Sequence, residues 1–266
     1  MINIIKSLNY SARRDTVNWI TIFTLLILPV FAMYISGLIN GDSLAKMTPS
    51  AYFASQEMAT VFTIMSFGIM IFSCKLVSGD AGDKTINYEF MAGHSRTRIF
   101  AARMLTGLLW GAGIIYIAAI LPLGYLNALY GWGQETNRTD ILIRCLLLIF
   151  PTIRSTALYM MIASLTRSAG KGIALSYAFY MIIFIITSVF QEVLEIDITY
   201  PTSMTNAAFL LVSQNARDVV KNGKTITIYD TAVTGDMVWK TIAVSLIFTA
   251  IYMTIAYINF KKTDRD

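Results

Sequence analysis

Side chains able to do chemistry are scarce in this chain, and the scarcity narrows its function. Its 266 residues include one histidine, His94, and two cysteines, Cys74 and Cys145. A single imidazole supplies neither a histidine-based metal site nor a Ser-His-Asp triad. The cysteines stand alone within apolar runs, so they form no disulfide framework or metal cluster and read as small core residues. Asp83-Lys84-Thr85 and Gly170-Lys171 do not complete a phosphate-binding loop, which needs a glycine five residues before Gly-Lys and a hydroxyl after it. His94, between Gly93 and Ser95, reads as a polar turn residue. The chain is therefore expected to be no enzyme, with no metal and no cofactor of its own. One side chain demands an explanation: Arg154, a charge in the middle of an apolar run.

That charge is unusual because of what surrounds it. No charged residue occurs between Asp15 and Asp42, Glu57 and Lys75, Arg103 and Glu135, Lys171 and Glu192, or Lys240 and Lys261. A sixth apolar run, 141–166, has Arg144 near its start and Arg154 at its middle. About 20 apolar residues cross the hydrocarbon layer as a helix, and inside lipid only helices and closed barrels satisfy every backbone group. The runs lack the period-2 alternation of barrel strands. The fold class expected is an all-α membrane protein with six transmembrane helices, at 17–39, 57–77, 103–130, 141–166, 172–190 and 239–260, in one membrane domain over 1–266. Composition agrees: 56% hydrophobic, 14% charged, mean hydropathy +0.60, against about 25% charged in soluble domains. The first run is too long for a cleaved signal peptide, and no A-x-A-like site follows it.

Basic residues set the orientation. With the N-terminus inside, thirteen of the 21 Lys and Arg fall on inside segments, so both termini are expected in the cytoplasm. The net charge of +5 then reflects topology and not nucleic-acid binding. Residues 1–15 carry apolar positions at helical spacing, which suits a helix lying in the cytoplasmic interface. The loop between spans 2 and 3 is longer than a bare connection requires. It has Gly and Asp breakers over 78–83, an amphipathic stretch over 84–91, a break at Ala92-Gly93, and Ser95 placed to cap a helix carrying Arg96, Arg98 and Arg103. Between spans 5 and 6 lie about 48 residues, with an apolar piece at 207–212 too short to span, which either dips into the bilayer or packs on the bundle. Gly107 and Gly111, in a small-xxx-small spacing, favour close helix packing within the chain.

Arg154 lies ten residues after Arg144 and thirteen before Arg167, about 15 Å and 20 Å along a helix. It cannot snorkel to either surface and should face protein or a wet cavity. One reading makes it the lining of a substrate path. The other makes it a structural pin on a backbone carbonyl, on Glu57 or on another subunit. Pro151, one turn earlier, is expected to kink the helix and free a carbonyl.

The cytoplasmic loop resembles that of type-2 ATP-binding-cassette (ABC) transporter permeases. The likeness rests on Asp80 to Asp83, Lys84-Thr85 opening a short helix, the Gly93 break, and Ser95-Arg96 leading to Arg103. Lys84-Thr85-Ile86-Asn87-Tyr88-Glu89 with Gly93-His94-Ser95-Arg96 is similar to the lantibiotic- and bacteriocin-immunity or bacitracin-resistance branch. Ala163-Ser164-Leu165-Thr166-Arg167-Ser168 with Lys171 resembles that family's turn after span 4, and Phe260-Lys261-Lys262-Thr263-Asp264 its chain end. The resemblance implies the membrane subunit of an ATP-driven exporter in a bacterial cell membrane, moving an amphipathic antimicrobial or membrane-active peptide. It also implies a second permease chain, two copies of a separate ABC ATPase that binds ATP and Mg, a coupling helix formed by Lys84, Thr85, Ile86, Asn87, Tyr88, Glu89, Phe90 and Met91, and a partly re-entrant outer segment between spans 5 and 6. The readings from other classes are a secondary transporter, for which the chain shows no internal repeat, and a non-transporting immunity or sensor protein.

Overall fold

The computed structural model of the protein describes residues 2–39, 48–54, 56–79, 90–166, 168–196, 199–211, 216–221 and 224–262. Helices α1 (Ile2–Arg14), α2 (Thr16–Ile39), α3 (Pro49–Ala54) and α4 (Gln56–Cys74) come first, and α4 ends in a π-helical turn, Lys75–Gly79. Next come α5 (Arg96–Tyr130), α6 (Arg138–Leu147), α7 (Ile149–Thr166) and α8 (Ala169–Ser188), which runs into a π-helical turn at Val189–Val193. A short helix α9 (Ser203–Leu211), a hairpin of β1 (Ala216–Lys221) and β2 (Lys224–Tyr229), and the long α10 (Gly235–Lys262) complete the chain. Each apolar run is thus helical. Among the described residues, three helical stretches are long and apolar enough to cross a membrane: Arg138–Thr166, Ala169–Gln191 and Gly235–Lys262.

The bundle is organised around α7. The other long helices keep broad lipid-type apolar faces, such as Ile182, Phe184, Ile185 and Ile186 of α8 and Leu246, Ile247 and Ile251 of α10. α7 instead buries twelve residues around its circumference, several of them polar: Thr152, Arg154, Ser155, Thr156 and Ser164. A helix buried all round belongs at the centre of its bundle, and α7 meets α4, α5, α8, α9 and α10. Its hydroxyls satisfy themselves locally. Thr152, Ser155 and Thr156 donate to the carbonyls of Leu148, Pro151 and Thr152 at 2.7, 3.0 and 2.9 Å, the back-bonding that lets Ser and Thr sit in an apolar core. The break expected at Pro151 falls at Leu148, between α6 and α7. Proline lacks the N–H that would reach four residues back, so the ladder loosens one turn before it.

Close approach to α7 explains the glycine pair on α5. A Cβ on Gly111 would come within 2.7 Å of Thr156 Cγ2, and one on Gly107 would strike the Met160 side chain, whereas nothing lies within 4 Å of Gly113. The small-residue face is used within the chain, against α7.

Two buried apolar clusters fill the bundle. One gathers Ile4 and Leu8 of α1, Cys74, Ile99 and Phe100, Met160, Ala256 and Phe260; its end of the bundle is called proximal below. The other gathers Tyr52, Phe53, Leu126, Ile141, Cys145, Leu148, Ala207, Leu210 and Met237 and marks the distal end. The hairpin pairs Ala216 with Tyr229 through Lys221 with Lys224, a β element that the all-α reading missed. Its signal was in the sequence: Asn222-Gly223 between two alternating β-branched segments is a strong hairpin pattern.

Candidate functional site

Two places combine polar side chains with positions that ordinary packing does not require. The first is the distal seam between α6–α7 and the segment that follows α8. Arg154 is only 2% exposed. Its Nη1 donates to the Tyr200 carbonyl at 2.9 Å, and its Nη2 donates to the Pro201 carbonyl. The Phe248 ring of α10 lies against the guanidinium, 4.2 Å from Cζ to the ring centroid. Arg154 Nε is buried without a hydrogen-bond partner. Of the partners the sequence allowed, backbone carbonyls hold the arginine; the Glu57 side chain lies outside the described residues.

Ten residues earlier, Arg144 does the same work more completely. It donates from Nε to Thr231 O at 2.9 Å, from Nη1 to Phe209 O and Leu210 O at 3.3 and 3.4 Å, and from Nη2 to Ala232 O at 3.4 Å. Phe209 and Leu210 sit in the last turn of α9, whose final carbonyls lack helical partners and carry the negative end of the dipole. A cation there answers both needs. Sequence reasoning assigned Arg144 to the outer start of a span and overlooked it as a pin. The run of buried apolar residues on both sides of it was the available signal.

Together the two arginines fix the depth of α9. Its C-terminal turn lies beside Arg144, and the residues before its first turn lie beside Arg154. The helix therefore lies along the α6–α7 stack, its N-terminal end down at the middle of α7. Asn206, Ala207, Leu210 and Leu211 are buried, and α9 also touches α4. The apolar piece at 207–212 packs into the bundle to Leu211; Val212 lies outside the described residues.

The distal loop also carries an ordered carboxylate, Glu135. Glu135 accepts from Thr48 Oγ1 at 2.9 Å, from Ser50 Oγ, and from the Gln134 N–H at 2.8 Å. Its carbonyl receives the Tyr229 N–H of β2 at 2.9 Å. Burial alone would raise its pKa, but bonds from Ser50, its own amide, Thr48 and Gln134 hold it below the usual 4.5. Gly133 has φ +99°, and a Cβ there would strike Glu135 and the Ser50 and Thr48 hydroxyls, so glycine is required on both counts.

The second place is the proximal face, where the coupling segment was expected. Lys84, Thr85, Ile86, Asn87, Tyr88 and Glu89 lie outside the described residues, as do Asp80 to Asp83. Phe90 and Met91 end a helical turn that breaks at Gly93, φ +79°. Phe90 packs on the proximal cluster, with Arg96 Cζ 5.9 Å from its ring centroid; Met91 is 74% exposed. Ser95 caps α5, its Oγ accepting from the Arg98 N–H at 3.4 Å. α5 has 35 residues, about 52 Å, well beyond a bilayer core of about 30 Å. Its protruding start is braced from several sides. Arg96 donates to Lys261 O at 3.0 Å, the Thr97 and Tyr257 hydroxyls are 3.1 Å apart, and Asn259 Nδ2 of α10 donates to Ser164 O at 2.8 Å. α1 adds Ile4 and Leu8 to the cluster, and its Asn9 Oδ1 accepts from Trp110 Nε1 at 2.5 Å. Asp15, between α1 and α2, forms an ion pair with Lys75 at the end of α4.

Among the described residues, no group of His, Cys, Asp and Glu could hold a metal ion. The molecule thus joins a braced polar platform at one end to a pinned inward segment at the other, through one central helix. No curated protein matches the chain. A family model described as ABC-2 family transporter protein matches residues 9–265. With nearly its whole length matched, and with its long apolar helices, the chain belongs to the ABC-2 family of transporter proteins, multi-pass membrane components of ABC transporters that work with an ABC ATPase.

Proposed function

We propose that this chain is the permease subunit of an ATP-driven exporter that expels an amphipathic antimicrobial or membrane-active peptide from a bacterial membrane. Two permease chains and two ATPase subunits form the working unit, and the ATPases bind and hydrolyse ATP with Mg. Six spans, at 17–39, 57–77, 103–130, 141–166, 172–190 and 239–260, place both termini in the cytoplasm, with 1–15 in the interface. The proximal face is then cytoplasmic, and the segment 84–91 docks into a cleft of the ATPase.

The observation that carries this reading is the bracing of the α5 start. ATP-driven closure of a partner performs work on a membrane element only through a stiff connection that biases two states. Here the residues directly after the coupling segment join α1, α7 and α10 through the proximal cluster. A push delivered at Met91 meets a rigid lever that reaches the central helix. The inward α9 segment, held by Arg144 and Arg154, supplies the opposite end of that lever. Through its side facing a small cavity, Arg154 forms part of the wall of the substrate path.

The test uses Tyr88 and Met91, because Phe90 also supports the proximal cluster. Changing both to Ala should leave melting unchanged while lowering peptide-stimulated ATP hydrolysis and peptide resistance together. Normal coupling in that double variant with the natural ATPase overturns the docking assignment. Cysteines at Asp83 and Asn222 should label from inside and outside respectively, and outside labelling at Asp83 overturns the orientation.

A further inference from the structure

A cavity of about 60 Å³ lies beneath α9, lined by Ser66, Arg154, Ser155, Tyr180, Ser203 and Tyr252, among others. One water needs about 10–15 Å³, so the space admits a small anion together with a few waters. Three features make its chemistry one-sided. The first is charge. Among the described residues no carboxylate is paired with Arg154, and its guanidinium meets only carbonyls, an aromatic face and the Tyr252 hydroxyl. A buried charge normally has a partner of opposite sign. The second is burial: Arg154 lines the cavity while only 2% exposed, so its charge acts there in surroundings of low dielectric. The third is the start of α9. Thr202 caps it, accepting from the Thr205 N–H at 3.1 Å, and Ser203 and Met204 of the first turn line the same cavity. A helix N-terminus offers free N–H groups and the positive end of a dipole. Arg144 lacks this surplus: its donors reach four carbonyls, and the charges of Asp230 and Asp140 act on it.

We propose that the cavity between Arg154 and the first turn of α9 is a binding site for one small monovalent anion, a halide ion or a carboxylate group. The hydroxyls of Ser66, Ser155 and Tyr252 complete its lining. The anion neutralises the buried guanidinium and locks the inward segment to the central helix. The site occupies the cavity assigned above to the substrate path, but it is tested without transport, so either assignment can fail alone.

The experiment measures melting of the purified full-length protein in zwitterionic nanodiscs. The potassium salt of a bulky sulfonate, which carries no carboxylate, is replaced at constant ionic strength by chloride, bromide or acetate. Binding to the folded state raises Tm in proportion to ln(1 + [L]/Kd), so a saturable rise on the order of a few degrees is expected. A rise with halides identifies a resident inorganic ion, and a rise with acetate alone identifies a carboxylate ligand; both support the site. Arg154→Gln should abolish the response. Should that variant not fold, Ser203→Pro decides, because proline is tolerated at the first helical position and removes one N–H donor there; it should weaken the apparent affinity several-fold. No saturable response to any of the three anions, or a wild-type response in Ser203→Pro and in any folded Arg154→Gln protein, overturns the proposal.

Discussion

Arg144 and Arg154 stand ten residues apart on one helical stack, both buried, both donating to backbone carbonyls of the segment after α8. Their surroundings differ. Arg144 is shared among four carbonyls, two of them in the last turn of a helix, and the charges of Asp140 and Asp230 act on it. Arg154 has two carbonyls, an aromatic face and the Tyr252 hydroxyl, and it lines a cavity. The first arginine is a completed anchor. The second is an anchor with charge left over. The same residue type thus serves fixed structure at the distal rim and adaptable chemistry one helical stretch deeper, and the difference lies in how many acceptors the backbone supplies.

The largest effect expected from this contrast is at Arg144. Arg144→Leu leaves up to four carbonyls without their donor in a buried seam. Each orphaned acceptor costs about 1–3 kcal/mol, so the variant should lose several kcal/mol and most of its folded yield in detergent. Arg154→Leu should lose clearly less. It orphans two carbonyls, but it also removes a buried charge whose desolvation opposes folding. Arg154→Lys should behave as poorly as the leucine variant, because an ammonium does not reproduce a fork that reaches two carbonyls. Melting measurements on the three proteins decide the matter. Equal losses at 144 and 154 would mean that the isolation of the deeper charge has no energetic consequence.

A smaller effect should come from the opposite side of α7. Gly111 faces Thr156, two residues beyond Arg154, with room for no Cβ. Gly111→Ala should lower stability by about 1 kcal/mol, at the lower end of overpacking costs. Gly113→Ala, facing open space, should be neutral or slightly stabilising, since alanine is the better helix former. If both behave alike, α7 is held in depth by its arginines alone and not by its fit to α5.

Much of this architecture was legible because lipid permits so few backbone solutions. The apolar runs had to be helices, and the charge gaps located them within a few residues. Ser95 and Gly93 announced the start of α5 and the turn before it, since capping and positive φ are local. Gly107 and Gly111 pointed to close packing, though not to the partner helix. Three things were not legible. The depth of α9 depends on carbonyls, which every residue possesses, so nothing in the side chains announced the acceptors of Arg154. Arg144 lay close enough to the end of a run to pass for an interfacial charge. The hairpin of β1 and β2 carried its Asn-Gly signal, but within a segment whose acids and short apolar piece suggested only a loop. Burial decides each of these, and it is a property of the assembled bundle.

The last expected effect is small at neutral pH and grows distinctive in acid. Glu135 organises the loop from which β2 hangs: its carboxylate gathers Thr48, Ser50 and the Gln134 N–H, and its carbonyl holds Tyr229. Two residues beyond Tyr229 begin the acceptors of Arg144, at Thr231 and Ala232. Hydrogen bonds hold the Glu135 carboxyl below its ordinary value of 4.5. A carboxylate with a folded pKa depressed in this way contributes stability that is fully present above about pH 4.5, and that stability is lost as the pH falls through the lower folded value. Glu135→Gln should therefore be less stable than the parent at pH 7, and the gap between them should narrow as the pH drops below 4.5. The measurement is melting temperature against pH for both proteins, with Asp15→Asn as a control for the carboxylate at the proximal end, whose pKa is also lowered. Because Glu135 supports the rim and not the deep seam, acid should loosen the contacts of Arg144 before those of Arg154, which amide exchange at Ala232 and Thr202 would resolve. A gap that stays constant down to pH 3.5, or exchange that quickens first at Thr202, would show that the rim and the deep anchor open as one unit, and the distinction between the two arginines would then be one of chemistry alone.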